Sequence, residues 1–353
     1  MSRSFYLLFV LFSARVCGQS CRCGDEFVFL QGYMEKNYAG FRDKVNAGNR
    51  VAYDSMTASL YRRAVSIGKP GVCLALMRQW LGFFRDAHNY LSEVAPARET
   101  GLAATHVVVA TRVVAAVQAR QLSDQTLYIG IASFGEENAA AIDSLLKADS
   151  ALLRTSPNLI IDVRGNGGGS DFSYEPLMPL LYTDPVHGIG VDVLATADNI
   201  KSWSSVLDDK YISGWTRFSV QNKIAAMKAH PGGWVSITPD LTATRREVRA
   251  FPHRIVILID SGCASTTEQF LLEAMQSRKV TLMGQHTEGV LDYSNVRDVP
   301  LSCMPFTLHY ATTRSRRIDA GKGIDNIGLQ PGVVFGDGVD WVEAARKYLE
   351  EGR

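Results

Sequence analysis

A strand that passes through a short turn into a helix is the part of this sequence that most constrains the fold. Residues 255–259 are the unbroken apolar run Ile-Val-Ile-Leu-Ile, which is typical of a buried strand. A turn follows over residues 260–265, and apolar residues then recur at helical spacing as far as Met275. A serine on such a turn, here Ser265, is a recurrent place for a nucleophile.

Ser265 also fits a structural role. The sequence Ser265-x-x-Glu268 is a capping box, in which the serine satisfies free backbone N–H groups at the start of a helix. On this segment alone the cap is the more common use, and the nucleophile is the alternative. One serine can fill both roles.

A second apolar strand ends in a glycine-rich turn. Residues 159–163 are Leu-Ile-Ile-Asp-Val, the turn Arg-Gly-Asn-Gly-Gly-Gly-Ser covers 164–170, and residues 172–181 are a candidate helix. The turn lacks the Gly-Lys-Ser/Thr of a Walker loop and a complete G-x-G-x-x-G, so a nucleotide site is not indicated. It is either a plain tight turn or an oxyanion hole, in which backbone N–H groups bind the charge that develops on a carbonyl oxygen.

Three motifs in this order resemble those of the C-terminal-processing (tail-specific) serine peptidases, on the tricorn-core-like branch. They are Asp-Val-Arg-Gly-Asn-Gly-Gly-Gly at 162–169, Gly-Cys-Ala-Ser-Thr-Thr-Glu at 262–268 and Gly-Gln-His-Thr-Glu-Gly at 284–289. The resemblance implies an α/β fold of the crotonase/Clp-protease type, built of stacked strand-strand-helix units. It also implies Ser265 as the nucleophile, with backbone N–H groups of Gly167 or Gly168 and of Thr266 as oxyanion donors.

The resemblance leaves two ways to activate the serine. Tail-specific members have a lysine just after the third motif, but this chain has Val290 there, and a valine cannot accept a proton. Tricorn-like members use a histidine and an acidic residue, and the positions that match are His88, in Asp-Ala-His, and Asp325, in Gly-Ile-Asp-Asn-Ile-Gly. His286 is the rival base, although a loop residue is its simpler interpretation, and Asp325 also fits a plain turn.

These residue types suit acyl transfer. A neutral imidazole accepts the proton of a serine near neutral pH, and a carboxylate fixes its tautomer and stabilises the imidazolium. Such chemistry needs no metal and no organic cofactor. The Cys21-x-Cys23 pair has no matching second pair, so a zinc site has little support.

Composition is that of an ordinary folded enzyme. The chain has 353 residues, of which 46% are hydrophobic and 21% charged, and a formal net charge of +1. No basic stripe indicates nucleic acid as a partner, and no apolar run after the N-terminus approaches a membrane span. The sequence does not determine the oligomeric state.

The N-terminus predicts export. A short basic region at residues 1–3 precedes an apolar region at 5–12, and Val16-Cys17-Gly18 is a plausible cleavage site. We therefore expect a signal peptide at 1–18, a mature chain from Gln19, and a periplasmic or extracellular location. Lipidation at Cys17 is the alternative. Five cysteines would remain, so at least one is free or pairs between chains.

The landmarks divide the rest of the chain in two. Residues 19–104 are expected to form a helical N-terminal region that carries His88, and residues 105–353 the peptidase core. The 38 positions between His88 and the strand near residue 127 leave no room for a domain of about 50 residues. Residues 196–240 are a candidate lid or substrate wall, with aromatic packing against the core as the alternative.

The function expected from the residues and the resemblance is that of an exported serine endopeptidase. It would use a Ser-His-Asp acyl-enzyme mechanism on a peptide or an unfolded protein. The alternative from another class is a ligand-binding module on the same fold, similar to retinoid-binding relatives, and the missing lysine keeps it open. A crotonase-type acyl-CoA hydratase or isomerase shares the oxyanion logic, but export argues against it.

Overall fold

The computed structural model describes residues 21–93, 116–210, 212 and 214–352. The expected signal peptide at 1–18 and the expected boundary near residue 104 lie outside these ranges. The signal peptide and the division into a helical region and a core therefore stay predictions. Among the helices that the structure describes, none has the length and apolar character that a bilayer span requires.

The described residues form an α/β structure of twelve α-helices and thirteen strands. The helices are α1 (Cys23–Asn37), α2 (Phe41–Lys44), α3 (Arg50–Ala64), α4 (Pro70–Leu81), α5 (Glu136–Ala148), α6 (Ser150–Leu153), α7 (Asp171–Tyr174), α8 (Met178–Leu181), α9 (Ala197–Ser205), α10 (Gly214–Ala229), α11 (Thr266–Ala274) and α12 (Trp341–Glu351). The strands are β1 (Tyr90–Glu93), β2 (Val117–Gln121), β3 (Thr126–Ile131), β4 (Asn158–Asp162), β5 (Val186–Gly188), β6 (Val191–Leu194), β7 (Trp234–Thr238), β8 (Leu241–Ala243), β9 (Arg254–Ile259), β10 (Val280–Gly284), β11 (Tyr293–Pro300), β12 (Phe306–Ser315) and β13 (Val333–Val334).

Six strands form a central sheet in the order β13-β10-β9-β4-β3-β2. The strands from β13 to β3 are parallel, and β2 pairs antiparallel at one edge. Because β4 and β9 are parallel neighbours, the turns that follow them meet at the edge formed by the carboxyl ends of the strands. This edge is where the two sequence motifs with glycine and serine come together.

Helices cover both faces of the central sheet. On one face, α7, α8 and α11 pack through a cluster that includes Tyr174, Leu181 and Phe270. On the other face, α12 packs through side chains such as Leu349. Burial from both sides explains why apolar side chains occupy consecutive positions in β3, β4 and β9, and the expected α/β fold class is confirmed.

A second, antiparallel sheet supports the N-terminal helices. Its strand order is β1-β12-β6-β7, and β11 also pairs with β12. The helices α1, α3 and α4 pack against this sheet through an apolar cluster that includes the aromatic side chains Phe27, Tyr53 and Trp80, with Phe84 from the turn after α4. The short loop between α4 and β1 is thereby held beside the core.

Two disulfides hold the same helices. Cys21–Cys303 joins the start of the described chain to the turn between β11 and β12, and Cys23–Cys73 joins α1 to α4. Neither thiol of the C-x-C pair is then available for zinc. Cys263 is buried and free, so the odd number of cysteines in the expected mature chain leaves one unpaired thiol.

The segment from 196 to 240 contains α9 and α10, and also β7, which is a strand of the second sheet. Trp203 is buried in a cluster with Val193 and Met227. Its indole N–H donates to Thr312 Oγ1 at 3.1 Å. The role of the segment as a lid stays a prediction.

Candidate active site

Ser265 lies at the junction between β9 and α11, at the carboxyl edge of the central sheet. It is the N-cap residue of α11, and its backbone has φ 55° and ψ −120°. For a residue other than glycine, this backbone conformation is strained by on the order of 1–3 kcal/mol. Such strain persists only where other contacts of the folded protein stabilise the conformation. Ser265 and Glu268 form the capping box expected from the sequence.

Glu268 provides contacts that hold this turn. Its fully buried carboxylate accepts hydrogen bonds from one hydroxyl and three backbone N–H groups. The donors are Thr287 Oγ1, Gly289 N, Val290 N and Ser265 N. Burial raises the pKa of Glu268, and these donors oppose the rise. The carboxylate therefore ties the start of α11 to the loop that follows β10.

The glycine-rich turn lies directly against the Ser265 turn. A Cβ atom on Gly168 would lie 3.1 Å from Ser265 Cβ and 3.0 Å from Thr266 N. Gly168 also has φ 105°, so a side chain is excluded both by conformation and by space. Beside it, Thr267 donates its hydroxyl to Asn166 Oδ1 at 2.8 Å. The two turns thus form one interlocked unit.

The three predicted oxyanion donors differ in availability. Thr266 is the first residue of α11, so its N–H has no acceptor within the helix. Gly167 is exposed, with no atom within 4 Å of where its Cβ would lie. The N–H of Gly168 instead donates to Asn166 Oδ1 at 3.0 Å. Among the described residues, the N–H groups of Thr266 and Gly167 have no such hydrogen-bond partner.

His88 lies in the loop between α4 and β1. Its Nδ1 is buried without a hydrogen-bond partner and lies 3.6 Å from Asp86 Oδ1, which is longer than a hydrogen bond. Burial by itself lowers the pKa of His88, but Asp86 and then Asp325 outweigh it, so that the pKa is raised. The environment of His88 therefore favours the imidazolium.

Asp325 lies close enough to affect His88 but has another direct partner. Its carboxylate forms an ion pair with Lys44, the last residue of α2, and both side chains are largely buried. Lys44 also lies 3.5 Å from the carbonyl oxygen of Arg85. Burial raises the pKa of Asp325 to about 6, although Lys44 lowers it.

A cavity of about 410 Å³ lies between the His88 loop and the loop after β10. Asp86 and Ala87 line one side, and Gly289 and Val290 line another. Because the N–H groups of Gly289 and Val290 bind Glu268, this wall of the cavity is tied to the Ser265 turn. Among the described residues, no hydrogen bond joins the Ser265 hydroxyl to the His88 ring, and His88 Nδ1 is unpartnered.

The rival bases are placed differently. Val290 is buried at the position where tail-specific members have a lysine, and its backbone N–H is taken by Glu268. His286 Nδ1 lies 2.8 Å from the backbone oxygen of Thr287. The Nδ1 atom of His286 is therefore engaged within its own loop.

Three residues shape this site in ways that sequence reasoning did not identify. Asp86 stands two residues before His88, a spacing that could have suggested a contact. Glu268 was identified only as a capping partner, whereas it also binds the loop after β10. Lys44 is 281 residues from Asp325, and no local pattern could have revealed that pair.

The comparison with protein families gives one match. A model of peptidase family S41 matches residues 125–335, which is more than half of the chain. The match includes the glycine-rich turn, the Ser265 turn and Asp325, and it begins after His88. The comparison with curated proteins found no match.

Solved structures with a similar fold include three peptidases or candidate peptidases. They are a putative peptidase from Parabacteroides merdae (15% identity, TM-score 0.58, covering 94% of this chain and 95% of that one), mature CPAF (12%, 0.60, 94% and 96%) and the photosystem II D1 C-terminal processing protease (13%, 0.51, 92% and 96%). Identities this low show a shared fold alone. Together with the family match, they confirm the Clp-protease-like core.

Proposed function

Since the chain belongs to peptidase family S41, we propose that it is an exported serine endopeptidase that cleaves peptide bonds through a covalent acyl-enzyme. The observation that carries the proposal is the contact between the Ser265 turn and the glycine-rich turn. A strained serine, a helix N-terminus and available backbone N–H groups come together there. Acyl transfer needs this combination of nucleophile and oxyanion donors.

In the proposed reaction, Ser265 Oγ attacks the carbonyl carbon of the peptide. His88 accepts the hydroxyl proton as general base and then gives it to the leaving amine as general acid. The N–H groups of Thr266 and Gly167 bind the oxyanion of the tetrahedral intermediate. Water then attacks the acyl-enzyme with His88 as the base, the ester bond to Ser265 Oγ breaks to release the carboxylic acid product, and His88 returns the proton to Ser265. Substrate binding must bring His88 and Ser265 within hydrogen-bond distance of each other.

The roles that the resemblance implies for Gly168 and Asp325 would each require a change from the contacts described above. Gly168 would become an oxyanion donor only if its N–H were released by Asn166. The charge of Asp325 helps to raise the pKa of His88, so it favours the imidazolium that forms when Ser265 loses its proton. An orienting role for Asp325 requires a change in its pairing with Lys44.

The substrate is proposed to be a peptide or an unfolded protein segment outside the cytoplasm, in the periplasm or the extracellular space. The N-terminal signal-like region and the two disulfides support export, because disulfides persist in oxidising compartments. Intact mass and N-terminal sequencing of the exported protein test this. A retained Met1 or a lipid on Cys17 would contradict it.

The test of the nucleophile is Ser265→Ala, with Ser261→Ala as its control. Both serines lie in the turn after β9, and Ser261 is exposed. We expect Ser265→Ala to abolish cleavage of an unstructured peptide and labelling by a fluorophosphonate probe. The lost cap should cost the fold only about 0.5–2 kcal/mol, and Ser261→Ala should behave as the wild type.

Two results would count against the proposed peptidase. Full cleavage by a folded Ser265→Ala protein would remove Ser265 from the mechanism. A wild type that neither binds the probe nor cleaves any peptide would favour the ligand-binding module on the same fold. The probe separates these cases because it reports the reactivity of the serine independently of peptide specificity.

A further inference from the structure

We propose that Asp86 is the positioning residue of His88. In this arrangement Asp86 holds the ring with Nδ1–H directed at its carboxylate, so that Nε2 is the nitrogen left to accept the Ser265 proton. The inference rests on the proposed function, in which His88 is the base. It assigns to Asp86 the orienting role that the sequence assigns to Asp325.

The carboxylate of Asp86 is fixed before any substrate binds. Its side chain is buried, and Oδ2 accepts hydrogen bonds from Tyr38 OH at 2.7 Å and Asn89 Nδ2 at 3.1 Å. Oδ1 accepts the backbone N–H of His88 at 2.9 Å. Three donors from the helical region and the loop itself therefore hold this carboxylate in one orientation.

The carboxylate of Asp86 has one unused acceptor position, and the ring of His88 has a nearby nitrogen without a hydrogen-bond partner. An ionised carboxylate has about four acceptor positions, and three are used. His88 Nδ1 lies 3.6 Å from Oδ1, buried and without a hydrogen-bond partner. A small rotation of the ring would close this gap, and catalytic hydrogen bonds are often long in the absence of substrate.

Asp86 also has a better position than its rival. Among the described residues, Asp86 is the only carboxylate within 4.0 Å of a His88 ring nitrogen. The carboxylate of Asp325 is instead paired with Lys44 of α2. Asp86 and His88 belong to one loop that begins at Arg85, a non-glycine residue with φ 46°. Their separation is therefore set by two residues of chain and not by the docking of distant elements.

The charges around His88 make the contribution of Asp86 measurable. The charged groups around the ring and its cavity are Asp86, Asp325, Lys44, Arg78, Arg85 and Glu288. The backbone carbonyl of Tyr293 also raises the pKa of His88 by accepting a hydrogen bond from the ring. Burial alone lowers the pKa of His88, and the interactions with Asp86 exceed that of Asp325 in raising it. Without Asp86, burial should dominate, and the pKa of His88 should fall.

The first experiment is nitrogen NMR of the mature protein labelled with ¹⁵N-histidine, with His88→Gln used to assign the resonance. We expect neutral His88 to carry its proton on Nδ1 in the wild type. In Asp86→Asn the pKa of His88 should fall, and the Nδ1–H tautomer should lose its preference. Asp325→Asn should leave the tautomer unchanged.

The second experiment compares cleavage rates of the same proteins. Asp86→Asn should lower kcat by about 10²- to 10⁴-fold, as for a lost orienting carboxylate, with KM nearly unchanged. The pH at which the rate rises should move down with the pKa of His88. The control is Asp298→Asn, because Asp298 pairs with His309 at 2.7 Å on the surface, and its removal should change neither rate nor pH profile.

Three outcomes would overturn the proposal. They are a wild-type His88 protonated on Nε2, an Asp86→Asn protein with an unchanged tautomer and pH profile, or an Asp325→Asn protein that shows the changes expected of Asp86→Asn. If Asp86→Asn does not fold, Tyr38→Phe is the substitute variant, because it removes one of the two donors to Asp86 Oδ2. An unchanged kcat in Tyr38→Phe would then count against the proposed role of Asp86. An inactive wild type with an Asp86-dependent Nδ1–H would defeat the peptidase function and leave the positioning intact.

Discussion

At the scale of single residues, the contacts of Glu268 explain how a serine is kept in a strained backbone conformation. The strain at Ser265 is on the order of 1–3 kcal/mol. Glu268 opposes it by accepting the N–H of Ser265 on one side and the N–H groups of Gly289 and Val290 on the other. A capping residue thus also positions the wall of the candidate active site.

This account predicts that Glu268→Gln is strongly destabilising. An amide nitrogen would replace one carboxylate oxygen and face N–H donors, and each buried N–H left without an acceptor costs about 1–3 kcal/mol. Peptide cleavage should fall together with stability, because the Ser265 turn loses its tie to the loop after β10. Urea unfolding and the cleavage rate measure the two effects.

The control for this substitution is Glu273→Gln on the same helix. Glu273 accepts side-chain bonds from Tyr174 and Gln269 on one oxygen, which an amide oxygen can also accept. Its stability should stay within about 0.5 kcal/mol of the wild type, as for substitutions away from such networks. Equal losses in the two variants would show that Glu268 has no special role.

At the scale of elements, the close approach of the turns after β4 and β9 is decisive. Parallel pairing of the two strands brings the turns to one edge of the sheet, and Gly168 lets them interlock. We predict that Gly168→Ala lowers turnover by about 10²-fold or more, since a displacement near 1 Å in a catalytic group has an effect of this size. The added Cβ would push against Ala264 O at 2.9 Å and Thr266 N at 3.0 Å.

Gly165→Ala is the matched control for Gly168→Ala. Gly165 also has a positive φ, 70°, but nothing lies within 4 Å of its Cβ position. It should share the conformational cost of an alanine in this region, about 1 kcal/mol, and keep most of the activity. Comparable activity losses in the two variants would mean that conformation, and not the contact, is responsible.

At the scale of the whole molecule, the candidate site combines two parts of the protein. Ser265 comes from the central sheet, whereas His88 comes from a loop held by the N-terminal helices and the second sheet. The Cys21–Cys303 disulfide, with a sequence separation of 282, ties these helices to the strands. The loop that carries His88 is also held by the pairing of β1 with β12.

We predict that replacing both Cys21 and Cys303 by serine lowers the free energy of unfolding by about 2–5 kcal/mol. The cleavage rate at 25 °C should stay close to that of the wild type, because β1 remains paired with β12. A reductant should lower the unfolding temperature of the wild type by more than that of the double variant, since Cys23–Cys73 is common to both. An equal effect of reductant would contradict a stabilising role for Cys21–Cys303.

The sequence alone was enough to predict the central strands, the turns at their ends and the family. Unbroken apolar runs at 159–163 and 255–259 are local patterns, and the structure has β4 at Asn158–Asp162 and β9 at Arg254–Ile259. The capping box at Ser265 is local as well. Two of the three motifs that resemble the tail-specific peptidases lie in the turns after β4 and β9, the third lies in the loop after β10, and the S41 match covers all three.

Only the tertiary structure decided which groups are engaged with each other. In the structure the N–H of Gly168 donates to Asn166, and the carboxylate of Asp325 pairs with Lys44. The carboxylate that lies beside the His88 ring is that of Asp86. The tertiary structure also decided how Cys21, Cys23, Cys73 and Cys303 pair in two disulfides. No local sequence pattern predicts these contacts, because they depend on how whole helices and sheets pack. An acceptor forms a hydrogen bond with whichever donor the packing brings within about 3 Å.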